Sequence, residues 1–158
     1  MKDTEPSVGN IVREYPPAPL MGVGGLVLDQ GKVLLVKRAK QPSIGEWSIP
    51  GGLVELGETL HEAIVREVNE ETGLLVEPLT LLKLFERIIP DETGRIRYHY
   101  ILADYLCRVI SGKKKAGSDA LDCVWISESE LERYDVSPLI VELVHEALAC
   151  CCNSSDVS

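Results

Sequence analysis

The chain lacks an excess of positive charge. Its 158 residues carry 16 Lys and Arg against 25 Asp and Glu, a net −9. A general nucleic-acid binder needs a basic face, so that class is disfavoured. The chain also lacks any apolar run near the ~20 residues of a membrane span. Its first ten residues, "MKDTEPSVGN", contain no apolar h-region, so no signal peptide is expected. Zinc-site spacing is missing as well. The five cysteines (Cys107, Cys123, Cys150, Cys151 and Cys152) are odd in number and fall in no ligand pattern. Cys107 and Cys123 lie in apolar runs, as small buried hydrophobes do. Together these absences suggest a reduced cytoplasmic protein with no membrane partner. No internal repeat is visible.

What is present fits one domain of ordinary globular composition, large enough to bury a core without disulfides. We read a single domain over residues 1–158. Residues 1–19 form a Pro-rich arm, 20–135 the core, 136–152 a C-terminal helix and 153–158 a tail. Strand-like runs occupy 20–29 and 32–38, with "DQG" as a hairpin turn between them. A loop follows, then the short extended piece "WSIPGGLVE". Thr59 and Glu62 form a capping box opening a helix that Gly73 ends. Two long strands are expected over 74–89 and 95–110, and a last strand over 121–127. A second capping box, Ser127 with Glu130, opens a short helix. The order predicts an α/β protein of the mixed α+β kind, a mixed sheet sandwiched between helices.

The helix over 59–72 contains "REVNEETG", which crowds Glu67, Glu70 and Glu71 into little more than one turn. Like charges at these spacings repel by ~0.2–0.5 kcal/mol per pair. A helical wheel places Leu60, Ile64 and Val68 on one apolar stripe, with Glu67 and Glu71 beside it and Glu70 at its margin. Glu62 and Asn69 face solvent. Crowded, partly buried carboxylates need positive charge. A hard divalent cation would supply it; so would a structural salt-bridge cluster. The wheel points Arg66 away from the Glu67/Glu71 direction. Helix geometry alone leaves both readings open.

The wider context is informative. From Gly52 the chain reads "GLVELGETLHEAIVREVNEETGL". Gly52, Glu58, Arg66, Glu67, Val68, Glu70, Glu71, Gly73 and Leu74 match G-x5-E-x7-R-E-U-x-E-E-x-G-U, with U aliphatic. This resembles the Nudix box, and the resemblance covers residues 20–135. It implies the Nudix fold and Mg²⁺-dependent, or Mn²⁺-dependent, hydrolysis of a nucleoside diphosphate linked to a second group. It implies Glu67, Glu70 and Glu71 as metal ligands, with the Gly51 carbonyl. It implies Glu58 and Arg66 as a pair bracing loop against helix, although Glu58 also suits a helix N-terminus on charge alone. The general base would be Glu70 or another box glutamate, or a late acid. Asp119 is the candidate for that late acid, with Asp122 in reserve.

The substrate is less legible. Pro90 stands where relatives acting on ADP-ribose often carry a proline. ADP-ribose, cleaved to AMP and ribose 5-phosphate, is therefore the first expectation. Removal of pyrophosphate from damaged nucleoside triphosphates is the second. A non-catalytic nucleotide sensor is the third, and the intact box acids argue against it. Trp47, Arg38, Arg97 and His99 are candidate substrate contacts. The expected partner is a small nucleotide, with no nucleic acid. Relatives often form homodimers, which the resemblance admits here.

Overall fold

The structure is a computed structural model describing residues 11–117 and 120–153. Asp119 lies outside the described residues. Strand β1 (Leu20–Asp29) and β2 (Lys32–Arg38) form an antiparallel pair. The turn between them has φ of 49° at Gln30 and 73° at Gly31. Two successive positive φ values are those of a type I′ turn, whose twist suits a hairpin.

Short strands β3 (Trp47–Ser48) and β4 (Gly51–Leu53) follow, then helix α1 (Leu60–Thr72). Two long strands, β5 (Leu74–Pro90) and β6 (Ile96–Gly112), pair antiparallel with several register shifts. Strand β7 (Ala120–Ile126) leads into a 3₁₀ turn at Glu128–Arg133 and helix α2 (Pro138–Asn153). The second capping box therefore opens a 3₁₀ turn rather than an α-helix. The lead-in at residues 11–19 joins no sheet; Tyr15 instead donates its N–H to Arg97 O (2.7 Å) and its hydroxyl to Asp91 (2.9 Å).

The seven strands make one sheet, ordered β3-β2-β1-β6-β5, with β4 beside β1 and β7 beside β2. It is mixed: β1 runs parallel to β6, and the other pairings are antiparallel. Alternation along the strands sends side chains to opposite faces. Val23, Val27, Leu34 and Cys107 pack with Ile64 and Val68 of α1. Leu26, Val33, Leu35 and Leu106 pack with Leu143 and Val144 of α2. Helices thus cover both faces. Each fully buried Leu, Ile or Val contributes roughly 1.5–3 kcal/mol relative to exposure. No helix among the described residues is long and apolar enough to cross a membrane.

Candidate functional site

Helix α1 is fixed at both ends by local chemistry. Thr59 Oγ1 accepts the Glu62 N–H (3.2 Å), and Glu62 Oε2 accepts the Thr59 N–H (2.7 Å). At the other end Gly73 takes φ 75° and donates its N–H to Asn69 O (2.8 Å). The apolar stripe of Ile64 and Val68 is fully buried. This seating fixes the rotation of the helix and points Glu67 and Glu71 at β4.

The three glutamates then meet different surroundings. Glu71 is buried and accepts the Gly51 N–H at Oε2 (3.1 Å). The Glu67 carboxylate lies so close to Gly52 that any Cβ there would collide with it. Its side chain is 12% exposed, against 46% for Glu70. Five residues of one helix thus hold two nearly sealed carboxylates, Glu67 and Glu71, and one open to solvent, Glu70.

Arg66 differs from its wheel position. Its Nε and Nη2 donate to the two oxygens of Glu58 (2.5 and 2.9 Å), and Nη2 also reaches Leu53 O (3.0 Å). Its Nη1 donates to Glu67 Oε1 (2.7 Å) and stands 3.5 Å from Glu70 Oε2. A wheel records only the Cβ direction; the long arginine stem carries the fork round the helix. Arg66 therefore offsets part of the carboxylate repulsion, contrary to the sequence expectation. The Arg66 fork, with the Glu55 N–H, holds the Glu58 carboxyl down at about 2. Glu58, and after it Glu67, holds the guanidinium above its ordinary pKa.

Among the described residues, no three His, Cys, Asp or Glu side chains are gathered as a finished chelate. The donor set itself suits a hard divalent cation, which prefers oxygen ligands. Two carboxylates, those of Glu67 and Glu71, converge on a glycine pair whose lack of side chains leaves room for them. An ion held there would compete with Arg66 for the Glu67 carboxylate.

A cavity of about 470 Å³ opens beside these groups. Gly51, Gly52, Glu67 and Glu71 line one part of it, and Trp47 and Arg38 line it elsewhere. Trp47 also packs edge-to-face on Tyr134, ring centroids 5.1 Å apart. Arg38 Nε donates to Pro42 O (3.1 Å). Burial lowers the Arg38 pKa; Glu71 raises it, while Arg87 and Arg13 push it down further. Arg97 and His99 do not line the cavity. Arg97 instead pairs with Glu14 (3.4 Å), out on the surface. Asp122 accepts its neighbour's N–H at Cys123 (2.8 Å), a local surface role.

Sequence reasoning missed Arg13 and Asp104, which line the cavity, as do Arg87 and Tyr100. One signal was present for Asp104: an aspartate in the middle of an apolar strand, in step with Tyr100 and Leu102.

A family model described as NUDIX domain matches residues 18–146. The chain is 37% identical over 115 residues to an ADP-ribose pyrophosphatase of Methanocaldococcus jannaschii, covering 73% of this chain and 66% of that one. It is 38% identical over 116 residues to the 8-oxo-dGDP phosphatase NUDT18 of Mus musculus, covering 71% of this chain but 34% of the relative. The chain thus spans only part of the length of either relative. A solved NUDIX hydrolase from Nitrosomonas europaea superposes with a TM-score of 0.69 at 23% identity, over 84% of this chain and 90% of that one. That likeness is one of fold.

Proposed function

The chain belongs to the Nudix family, and from that premise we propose that it hydrolyses the pyrophosphate bond of a nucleoside diphosphate linked to a second group. ADP-ribose, giving AMP and ribose 5-phosphate, is the first substrate proposed. The observation that carries this reading is the convergence of Glu67 and Glu71 on Gly51–Gly52 at the wall of a nucleotide-sized cavity. The named activity of the archaeal relative supports the choice of substrate.

Divalent metals serve the family generally, and Mg²⁺ or Mn²⁺ is the ion proposed. When bound, it neutralises the pyrophosphate and acidifies the attacking water. Glu67, Glu71 and the Gly51 carbonyl would hold it, with Glu70. Glu70, the most exposed of the three glutamates, is the group we assign to take the proton from water. Glu58 keeps Arg66 in place, and Arg66 ties the β4 end at Leu53 to the helix. Arg13, Arg38 and Arg87 line the cavity as counter-charges for a polyanion.

A second reading, sanitation of oxidised nucleotides, is favoured by the likeness to the 8-oxo-dGDP phosphatase. One assay separates them: product release with Mg²⁺ from ADP-ribose, 8-oxo-dGDP and normal and oxidised dNTPs. AMP from ADP-ribose is expected. Turnover confined to oxidised nucleotides would replace the first substrate with the second. No turnover across the panel would sink the hydrolase reading and leave a nucleotide sensor.

A further inference from the structure

Asp104 is a buried carboxyl that the proposed chemistry does not use. It sits mid-strand in β6 and is 5% exposed. Its cross-strand neighbours are Gly24 on β1 and Lys83 on β5. Gly24 makes room for it: a Cβ there would collide with Asp104 Oδ1 and would lie 2.8 Å from Ile49 Cδ1. Lys83 turns its ammonium to Glu142 (3.4 Å). Burial pushes the Asp104 carboxyl up to about 6, opposed by the Lys83 charge, and no hydrogen-bond donor contributes. Four residues back on the same face of the strand, the buried Tyr100 hydroxyl has no hydrogen-bond partner. Both residues line the cavity.

Above pH 6 such a carboxyl is chiefly ionised and can only accept. An ionised acceptor without a donor in apolar surroundings is costly, so the site is incomplete until a ligand donates to it. A phosphate cannot be that ligand, because the charges repel. Phosphates belong with Arg38 and the metal-binding glutamates. Ile49 and Leu102, which share this stretch of wall, suit a flat base better than a sugar.

We propose that Asp104 is a specificity-determining residue that accepts a hydrogen bond from the exocyclic amine of a purine held in the cavity. The inference rests on the nucleotide reading above. An amine in place of a carbonyl is what the site distinguishes. Hypoxanthine carries a carbonyl where adenine has its amine and a hydrogen where guanine has its own. A carbonyl facing the carboxylate would be repelled, and loss of the 2-amine would leave only the ring N1–H to donate, one hydrogen bond fewer. Asparagine at the same position offers an NH₂ as well as an acceptor and removes that discrimination.

The test is calorimetric binding of AMP, GMP and IMP in metal-free buffer at neutral pH, for the wild type and D104N. The wild type should bind the better of AMP and GMP about 10- to 100-fold more tightly than IMP, the range for one hydrogen bond to a charged group. In D104N the ratio should fall close to one. A wild type that does not separate the three, including one that binds none, overturns the proposal; so does a D104N that keeps the wild-type ratio. The wild-type ranking decides even where D104N fails to fold. A parallel Mg²⁺ hydrolysis assay separates the two claims. Correct ranking without hydrolysis sinks only the enzyme reading, and hydrolysis with flat ranking sinks only the base contact.

Discussion

Glu70 and Glu71 are sequence neighbours in opposite environments. Glu71 is buried against the Gly51 N–H, whereas Glu70 stands nearly half exposed with a 3.5 Å approach to Arg66. Exposed ion pairs of that kind are worth ~0–1 kcal/mol. Glu70→Gln should therefore leave the melting temperature within a few degrees of wild type while lowering turnover by roughly 10²–10⁴-fold, the usual worth of a general base. Unfolding of the variant would instead mark the acids as structural. Glu58 and Asp104 give opposite pH signatures. Glu58 falls from 4.5 to about 2 on folding, led by its hydrogen bond from Arg66. Its contribution is present above pH 4.5 and is lost as pH falls through about 2. Asp104 rises from 3.8 to about 6 through burial. Its ionised form opposes folding, so stability declines as pH rises from 3.8 to about 6. Thermal melts against pH should show E58Q less stable than wild type at neutral pH, with the gap closing in acid. They should show D104N gaining on wild type as pH rises. The box residues were legible because each occupies a fixed offset along one continuous strand–loop–helix stretch. Asp104 was not, because its meaning depends on Gly24 and Ile49, which no sequence pattern places beside it.

At the scale of elements, the ends of α1 were readable and its side-chain reach was not. Thr59, Glu62 and Gly73 carry capping chemistry that acts within a few residues, so local sequence sufficed. The Arg66 fork crosses from helix to β4, and a wheel cannot follow it. The 3₁₀ form of residues 128–133 was equally hidden, since a capping box opens either kind of turn. Two glycines test the element-level picture. Gly73→Ala would put a side chain at φ 75°, with its Cβ 2.9 Å from Lys113 O. It should lower stability by ~1–2 kcal/mol or more, read as a shift in urea midpoint at constant slope. Gly52→Ala would drive a Cβ into the Glu67 carboxylate. It should cut Mn²⁺ affinity at least tenfold, and an unchanged affinity would remove Glu67 from the site.

At the scale of the molecule, helices on both faces of a mixed sheet were foreseeable from element order. The two faces do different work: α1 brings the acids to β4, and β6 presents Tyr100 and Asp104 from the strand. The cavity between them is built by long-range pairing, for instance Gly24 against both Gly51 and Asp104, which explains why substrate contacts were the least legible part. Arg97 and His99 were chosen from strand composition alone, and neither lines it. A chain of net charge −9 that handles a polyanion needs cations at the point of contact. Arg13, Arg38 and Arg87 supply some of that charge, and the glutamates are placed to recruit the rest. The most direct measurement is calorimetric titration of Mn²⁺ into the wild type and the E67Q/E70Q double variant, with and without nucleotide. Uptake by the wild type, weakened at least tenfold in the variant, is the expected result. Equal uptake by both, or uptake by neither even with nucleotide present, would contradict a metal site at these glutamates.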